Sequence, residues 1–357
     1  MSRGGQRVLA VVAVLVMLGA GVLVRGWLRD DGAGEPTSTA GSSSAPRPTL
    51  LCASELGDVC DAIAAHGDVD VRIEPAAVSA KRLTAETDLG DVDVDGWLTV
   101  APQSGNVNDA QVRNGREPFF AADETVARSP LVFVGRNDRM KTLAEHCKPG
   151  AIEWACVGGL VDTPWADIGG QPTWNQVAVG HADPATDAIG LLVVGQEATS
   201  KLGNHDFDAT AVQADDFSAW FQNLESKVDF GGNDGPLAQM VQLGAGSDLA
   251  EVTEAEACTR IPGSRAAGAL DAVVPTPAVT ADVVFASVRK GANADAVRAA
   301  ATGEAARRAL ADGHWRVGDT RTRRAVCSEV GAVGLPATSN LPDPGVLVAL
   351  AENRGRA

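Results

Sequence analysis

The chain has 357 residues, with 46 Asp and Glu against 30 Lys and Arg, giving a formal net charge of −16. That balance excludes a nucleic-acid or anionic-lipid surface, since either needs a clustered basic face. Lys is scarce and Tyr is absent, which reads as the coding bias of a high-GC bacterium and says nothing about the fold.

Arg3 and Arg7 precede an uncharged apolar run over 8–24, which Arg25 and Arg29 close. Basic residues before such a run stay cytoplasmic while the chain that follows is translocated. The run approaches the roughly 20 residues of a spanning helix and exceeds the roughly 7–15 of a signal-peptide core. Residues 1–29 are therefore expected to form a cytoplasmic tip and a single-pass membrane anchor, with cleavage near Gly19-Ala20-Gly21 as the alternative. Residues 30–48 are rich in Gly, Ser, Thr, Ala and Pro and are expected to be a flexible tether.

All six cysteines follow the apolar run, on the side of a membrane where disulfides persist. Six cysteines allow fifteen pairings; proximity favours Cys52–Cys60, Cys147–Cys156 and Cys258–Cys327. The CxxC spacing of a zinc site is absent.

In chain order, 50–53 reads as a short apolar strand, and Ser54-Glu55 opens a helix to about 65. Residues 69–73 alternate as a strand does, 79–87 reads as a helix and 93–100 as a strand. A dense β-type run at 131–135 precedes a helix at 138–146, a helical turn at 163–165 and a strand at 176–179. Helices are expected over 187–202 and 215–228, strands over 270–274 and 279–288, and one alanine-rich helix over 293–312 that Gly313 stops. Beyond 317 a Gly-, Pro- and Ser-rich tail ends in a short apolar helix, 346–351. Strands separated by helices argue for a largely parallel α/β sheet.

The ordered series of segments resembles the bacterial extracellular solute-binding proteins with the type II periplasmic-binding-protein fold. The group concerned is one of high-GC bacteria, sometimes fused to a von Willebrand-type domain. LLCASELGDVCDAI is similar to the family's first strand, ligand-side turn and first helix, and VDGWLTVAP to a strand ending at the cleft. VARSPLVFVGR resembles the crossing between lobes, and TPWADIGGQ and QVAVGHADPATDAIGLL resemble second-lobe segments. VTEAEA, VVFASV and GEAARRALADGHWRV resemble the returning strands, closing helix and last strand, so the likeness covers about 50–317. It implies a two-lobed α/β fold with a central mixed sheet in each lobe: 49–130 plus 251–317, and 131–250, with 318–357 as a C-terminal tail. It also implies an extracytoplasmic protein that captures a small polar solute and works with a membrane permease or an envelope partner. The tail is too short for a von Willebrand-type domain.

Ligands of open α/β sheets sit beyond strand carboxyl ends, beside helix N-termini. Ser54, Glu55, Trp97, Thr99, Gln103, Ser129, Asp183, Thr186 and Asp187 meet that condition, although Ser54, Thr186 and Asp187 also suit plain helix caps and Trp97 suits the core. The carboxylates disfavour sulfate- or phosphate-like ligands and favour a polar, cationic or sugar-like one. Asp91, Asp93 and Asp95 begin like a calcium loop, but its twelfth position is Pro102 instead of Glu. The five histidines form no HExxH pair and are expected at the surface or in loops; no P-loop, GxGxxG or GxSxG appears. The chain therefore reads as a binding protein, with no cofactor, resident metal or catalytic set. The alternative is an envelope interaction module without a small ligand.

Overall fold

The structure, a computed structural model, describes residues 47–354 except 148–151, 245, 290, 292, 319–323, 329, 331, 334 and 336–339. The expected anchor at 1–29 and nearly all of the tether lie outside those residues. Among the described residues no helix is long and apolar enough to cross a membrane.

β1 (Thr49–Ala53) is buried from Leu50 to Ala53, as a strand covered on both faces must be. α1 (Gly57–His66) doubles back over it and stops at Gly67, whose φ of +81° suits only a residue without a β-carbon. β2 (Asp70–Glu74), α2 (Ala76–Ala85), β3 (Gly96–Val100) and α3 (Gln103–Arg113) follow, then β4 (Glu124–Arg136), a strand of 13 residues. The chain continues through α4 (Asn137–His146), α5 (Trp154–Leu160), β5 (Val179–His181), α6 (Ala188–Leu202) and α7 (Asp215–Glu225). Next come α8 (Pro236–Leu243), β6 (Leu249–Thr253), α9 (Glu254–Arg260), β7 (Leu270–Val273) and β8 (Thr280–Ser287). α10 (Ala294–Thr302), α11 (Glu304–Asp312) and β9 (Arg316–Val317) lead to the hairpin β10 (Arg324–Ala325) and β11 (Ala332–Val333), and α12 (Pro344–Asn353).

The strand order is β2-β1-β3-β8-β4-β6-β5, with β7 and β9 also on β4. β1, β2 and β3 run parallel, as do β5 and β6, while β8 is antiparallel to both β3 and β4. The sheet is therefore mixed. Each strand group has its own set of pairings, and the two run into one another because β4 serves both. Its residues 124–130 pair with β8 and 127–128 with β9, while 131–135 pair with β6 and 133–136 with β7. The expected return to the first group at Glu251 is corrected by this register: β6 and β7 lie beside the second half of β4, and the return comes with β8.

Other boundaries move for local reasons. The single helix expected over 293–312 is two, because Gly303 is extended (φ −71°, ψ 179°) and a β-carbon there would lie 2.4 Å from the Ala299 carbonyl oxygen. The strand expected from 93 begins at Gly96; Asp93 instead binds Arg72 at 2.6 Å and Arg82 at 3.3 Å. Asp95 accepts the Thr49 N–H at 2.8 Å, so these acids hold neighbours in place of a calcium ion. His181, expected at the surface, is fully buried in β5.

The three disulfides are Cys52–Cys60, Cys147–Cys156 and Cys258–Cys327. Apolar packing accompanies both strand groups: the rings of Trp97 and Phe120 meet tilted at 5.7 Å in the first, and those of Phe133 and Trp154 tilted at 4.8 Å in the second. A buried two-pronged ion pair, Arg316 to Glu254 at 2.6 and 2.7 Å, ties β9 to the start of α9. Breaking such a pair leaves a lone buried charge and costs about 3–5 kcal/mol.

Candidate ligand-binding site

The two strand groups meet at the end of β1. There Glu55 accepts the Ala76 N–H with both carboxylate oxygens at 3.2 Å, and its Oε1 accepts the Ala188 N–H at 2.9 Å. Ala76 and Ala188 are the first residues of α2 and α6, so both amides lack an intrahelical acceptor. One carboxylate thus fills the electropositive ends of two helices, one from each group. Beside it the Ala77 N–H donates to the Thr186 carbonyl at 3.3 Å. Together these bonds latch the two groups.

Asp187 caps α6, accepting the Ile189 N–H at 2.6 Å. Its carboxyl is pushed well above the ordinary range, first by burial, then by the negative charges of Glu55 and Glu256. Glu55 is itself raised by burial, against the pull of the amides it accepts. Glu256, in α9, is raised by burial too, partly offset by Arg260 at 2.8 Å. The junction therefore brings two carboxylates, Glu55 and Asp187, to one pair of helix ends with no cationic side chain among their hydrogen-bond partners, and a proton or a cation is what such a pair takes up. Gly190 permits this arrangement: a β-carbon there would stand 2.2 Å from the Ala182 carbonyl oxygen and 2.6 Å from the Pro184 nitrogen. No side chain fits between α6 and the loop that precedes it.

At the carboxyl end of β3, Thr99 Oγ1, Gln103 Nε2 and both amide atoms of Asn106 are buried without a hydrogen-bond partner among the described residues. Buried polar atoms are normally satisfied, so this row has capacity for a ligand or for water. Ser104 next to it gives its hydroxyl to Asp123, at 2.7 and 2.9 Å.

Glu55, Thr186 and Asp187 are thus brought together, and Thr99 and Gln103 form a second buried polar group. Trp97 lies in the core with no exposure and packs on Phe120. Ser129 is buried and accepts the Ala255 N–H at 3.0 Å, a cap for α9. Asp183 accepts the Ala185 N–H at 3.0 Å and pairs with Arg354 at 2.9 Å, which turns it toward the tail. Ser54 is exposed, its hydroxyl 3.4 Å from Glu55. Asn106 and Glu256 escaped the sequence reading. Asn106 sits in a helix too polar to announce itself, and Glu256 in one of only seven residues.

No family model and no curated protein matches the sequence. Solved structures do match in shape. A periplasmic thiamin binding protein aligns over 88% of this chain and 97% of its own, with TM-score 0.56 and 14% identity. The periplasmic binding protein AfuA from Actinobacillus pleuropneumoniae, with fructose-6-phosphate bound, aligns over 88% and 96%, with TM-score 0.53 and 13% identity. A Trichodesmium protein in complex with iron and citrate aligns over 87% and 98%, with TM-score 0.52 and 10% identity. The chain has the α/β fold of the periplasmic substrate-binding proteins.

Proposed function

We propose that this protein is a membrane-tethered, extracytoplasmic solute-binding protein that closes two lobes on a small polar solute carrying positive charge. The observation that carries the reading is the meeting of Glu55 with the end of α6 that Asp187 caps, at the junction of the two strand groups. One acid comes from each side, and burial raises both. Residues 49–129 with 280–317 act as lobe one and 131–273 as lobe two, with β4 and the 274–279 segment as the crossings. The solute displaces the Glu55 carboxylate from the two helix ends or salt-bridges to it, and Thr99, Gln103 and Asn106 supply its remaining hydrogen bonds. Contacts to both lobes favour the closed state. The bound form then serves a permease or reports to an envelope partner. Proteins of this shape include thiamin- and iron-binding ones and one with fructose-6-phosphate bound, so the preference for a cationic solute rests on Glu55 and Asp187 and not on the fold. The apolar run at 8–24 supplies the tether.

The test is a thermal-shift screen of the full-length protein against amines and polyamines, amino acids, sugars, metal ions and oxyanions. A ligand of the native state raises the melting temperature by mass action. The expected result is a rise with a cationic class and none with sulfate or phosphate, lost in Glu55→Gln. A rise with oxyanions alone contradicts the reading.

A second reading has its own observation. Glu55 already fills both helix ends, and the Ala77–Thr186 bond closes the junction without a solute. On that reading the domain is an envelope interaction module that keeps the fold without a small ligand, and no solute class shifts the melting temperature.

A further inference from the structure

Beneath the loop that carries Asp183 and Asp187 lies a second cluster that the cleft does not use. His181 in β5, Glu197 in α6 and Glu225 at the end of α7 have side chains with 0% exposure. One ligand-type atom from each lies within 4.8 Å of the others. His181 Nε2 stands 3.0 Å from Glu225 Oε1 and 3.5 Å from Glu197 Oε1. A tetrahedral ion with bonds of about 2.1 Å has ligand-to-ligand edges of about 3.4 Å, so the spacing suits a shared ion.

The imidazole is oriented as a ligand. Its Nδ1 lies 2.7 Å from the Ala182 carbonyl oxygen and donates to it, so Nε2 faces the two carboxylates, hydrogen-bonded to Glu225 without an ion and placed to ligate one instead. Metal-bound histidines are held in this way by a backbone carbonyl on the far nitrogen.

His181 alone does not satisfy these carboxylates. Among the described residues neither oxygen of Glu197 has a hydrogen-bond partner, nor does Glu225 Oε2 or Glu251 Oε1. Glu251, beside His181 in the strand register, gives its other oxygen to the Trp154 indole N–H. Among the described residues the guanidinium at hand is Arg354, 3.8 Å from Glu225 and closer to Asp183. Glu197 sits in a helix buried from Ala188 to Ser200, where an uncompensated charge costs several kcal/mol.

We propose that His181 Nε2, Glu197 and Glu225 bind one divalent first-row transition-metal ion as a structural site bracing the base of the cleft loop. One imidazole with carboxylates and no thiolate suits Zn²⁺, Mn²⁺ or Fe²⁺ over Cu⁺. The ion would tie β5 to α6 and α7, the elements behind Asp183 and Asp187.

The test uses full-length, tag-free protein stripped by chelator, with Zn²⁺ or Mn²⁺ added separately. Expected are one ion per chain by mass spectrometry and a melting-temperature rise of roughly 5 °C or more, both lost in Glu197→Gln. X-ray absorption at the metal edge should show one imidazole among oxygen ligands. That measurement on the wild-type chain decides the matter if Glu197→Gln fails to fold. The proposal is overturned by no stoichiometric uptake, by equal uptake and stabilisation in folded Glu197→Gln, or by an ion without an imidazole ligand. Because cleft solutes are absent, failure here leaves the solute-binding reading standing.

Discussion

Asp187 shows how one residue serves fold and site at once. Its carboxylate caps α6, and burial beside Glu55 and Glu256 raises its pKa above the unfolded value. A raised acid binds its proton more tightly in the folded state, so folding loses stability as pH rises past the unfolded value of about 4. Asn keeps an oxygen for the Ile189 N–H and removes the charge. Ligand-free Asp187→Asn should therefore melt higher than wild type at pH 7 by roughly 2–4 °C, the shift about 1 kcal/mol gives in a large domain. The gain should vanish toward pH 4, as melting curves across pH will read; an unchanged profile contradicts the account. Glu55 and Asp187 were legible from their place after a strand and before a helix. The burial of His181 was not, because a three-residue strand leaves no period to read.

Among the elements, α12 was expected as a short apolar helix in a tail that packs back on the domain through Cys327, but nothing in the sequence names its docking partner. The partner is α6, where a β-carbon on Gly195 would lie 2.4 Å from Leu347 and 2.8 Å from Leu341. Val346 and Leu350 fill a cluster with Val194, Ala198, Phe217 and Phe221, and Arg354 lies over Phe230 at 4.5 Å. Gly195→Leu should push the tail helix off, expose 340–354 to limited proteolysis, and cost about 1–3 kcal/mol, the usual penalty of overpacking. A protected tail with unchanged melting would show that α12 does not dock there. Strand-helix alternation gave most elements within a few residues. It failed at β4, whose first half, ETVARSP, mixes charge and proline and reads as loop until it is paired with β8.

At the scale of the molecule, β4 and the latch at Glu55 set what the domain does. A strand shared by two groups lets them share one continuous sheet, while the bonds from Ala76, Ala77 and Ala188 hold them together on the other side. The order of segments was enough to suggest the fold. The candidate site was only partly legible, because the approach of Glu55 to the end of α6 beside Asp187 depends on long-range packing that no local spacing encodes. On the proposed function a solute enters between the two groups, so the latch has to open without global unfolding. Native-state hydrogen exchange of the ligand-free protein tests this most directly, at the amides of Ala77 and Ala188 against buried β3 amides such as Leu98. The account predicts that the latch amides exchange at least tenfold faster than the β3 amides, through opening of the lobes alone. Exchange of both sets at one slow rate, governed by global unfolding, would mean a cleft that never opens and would contradict solute capture.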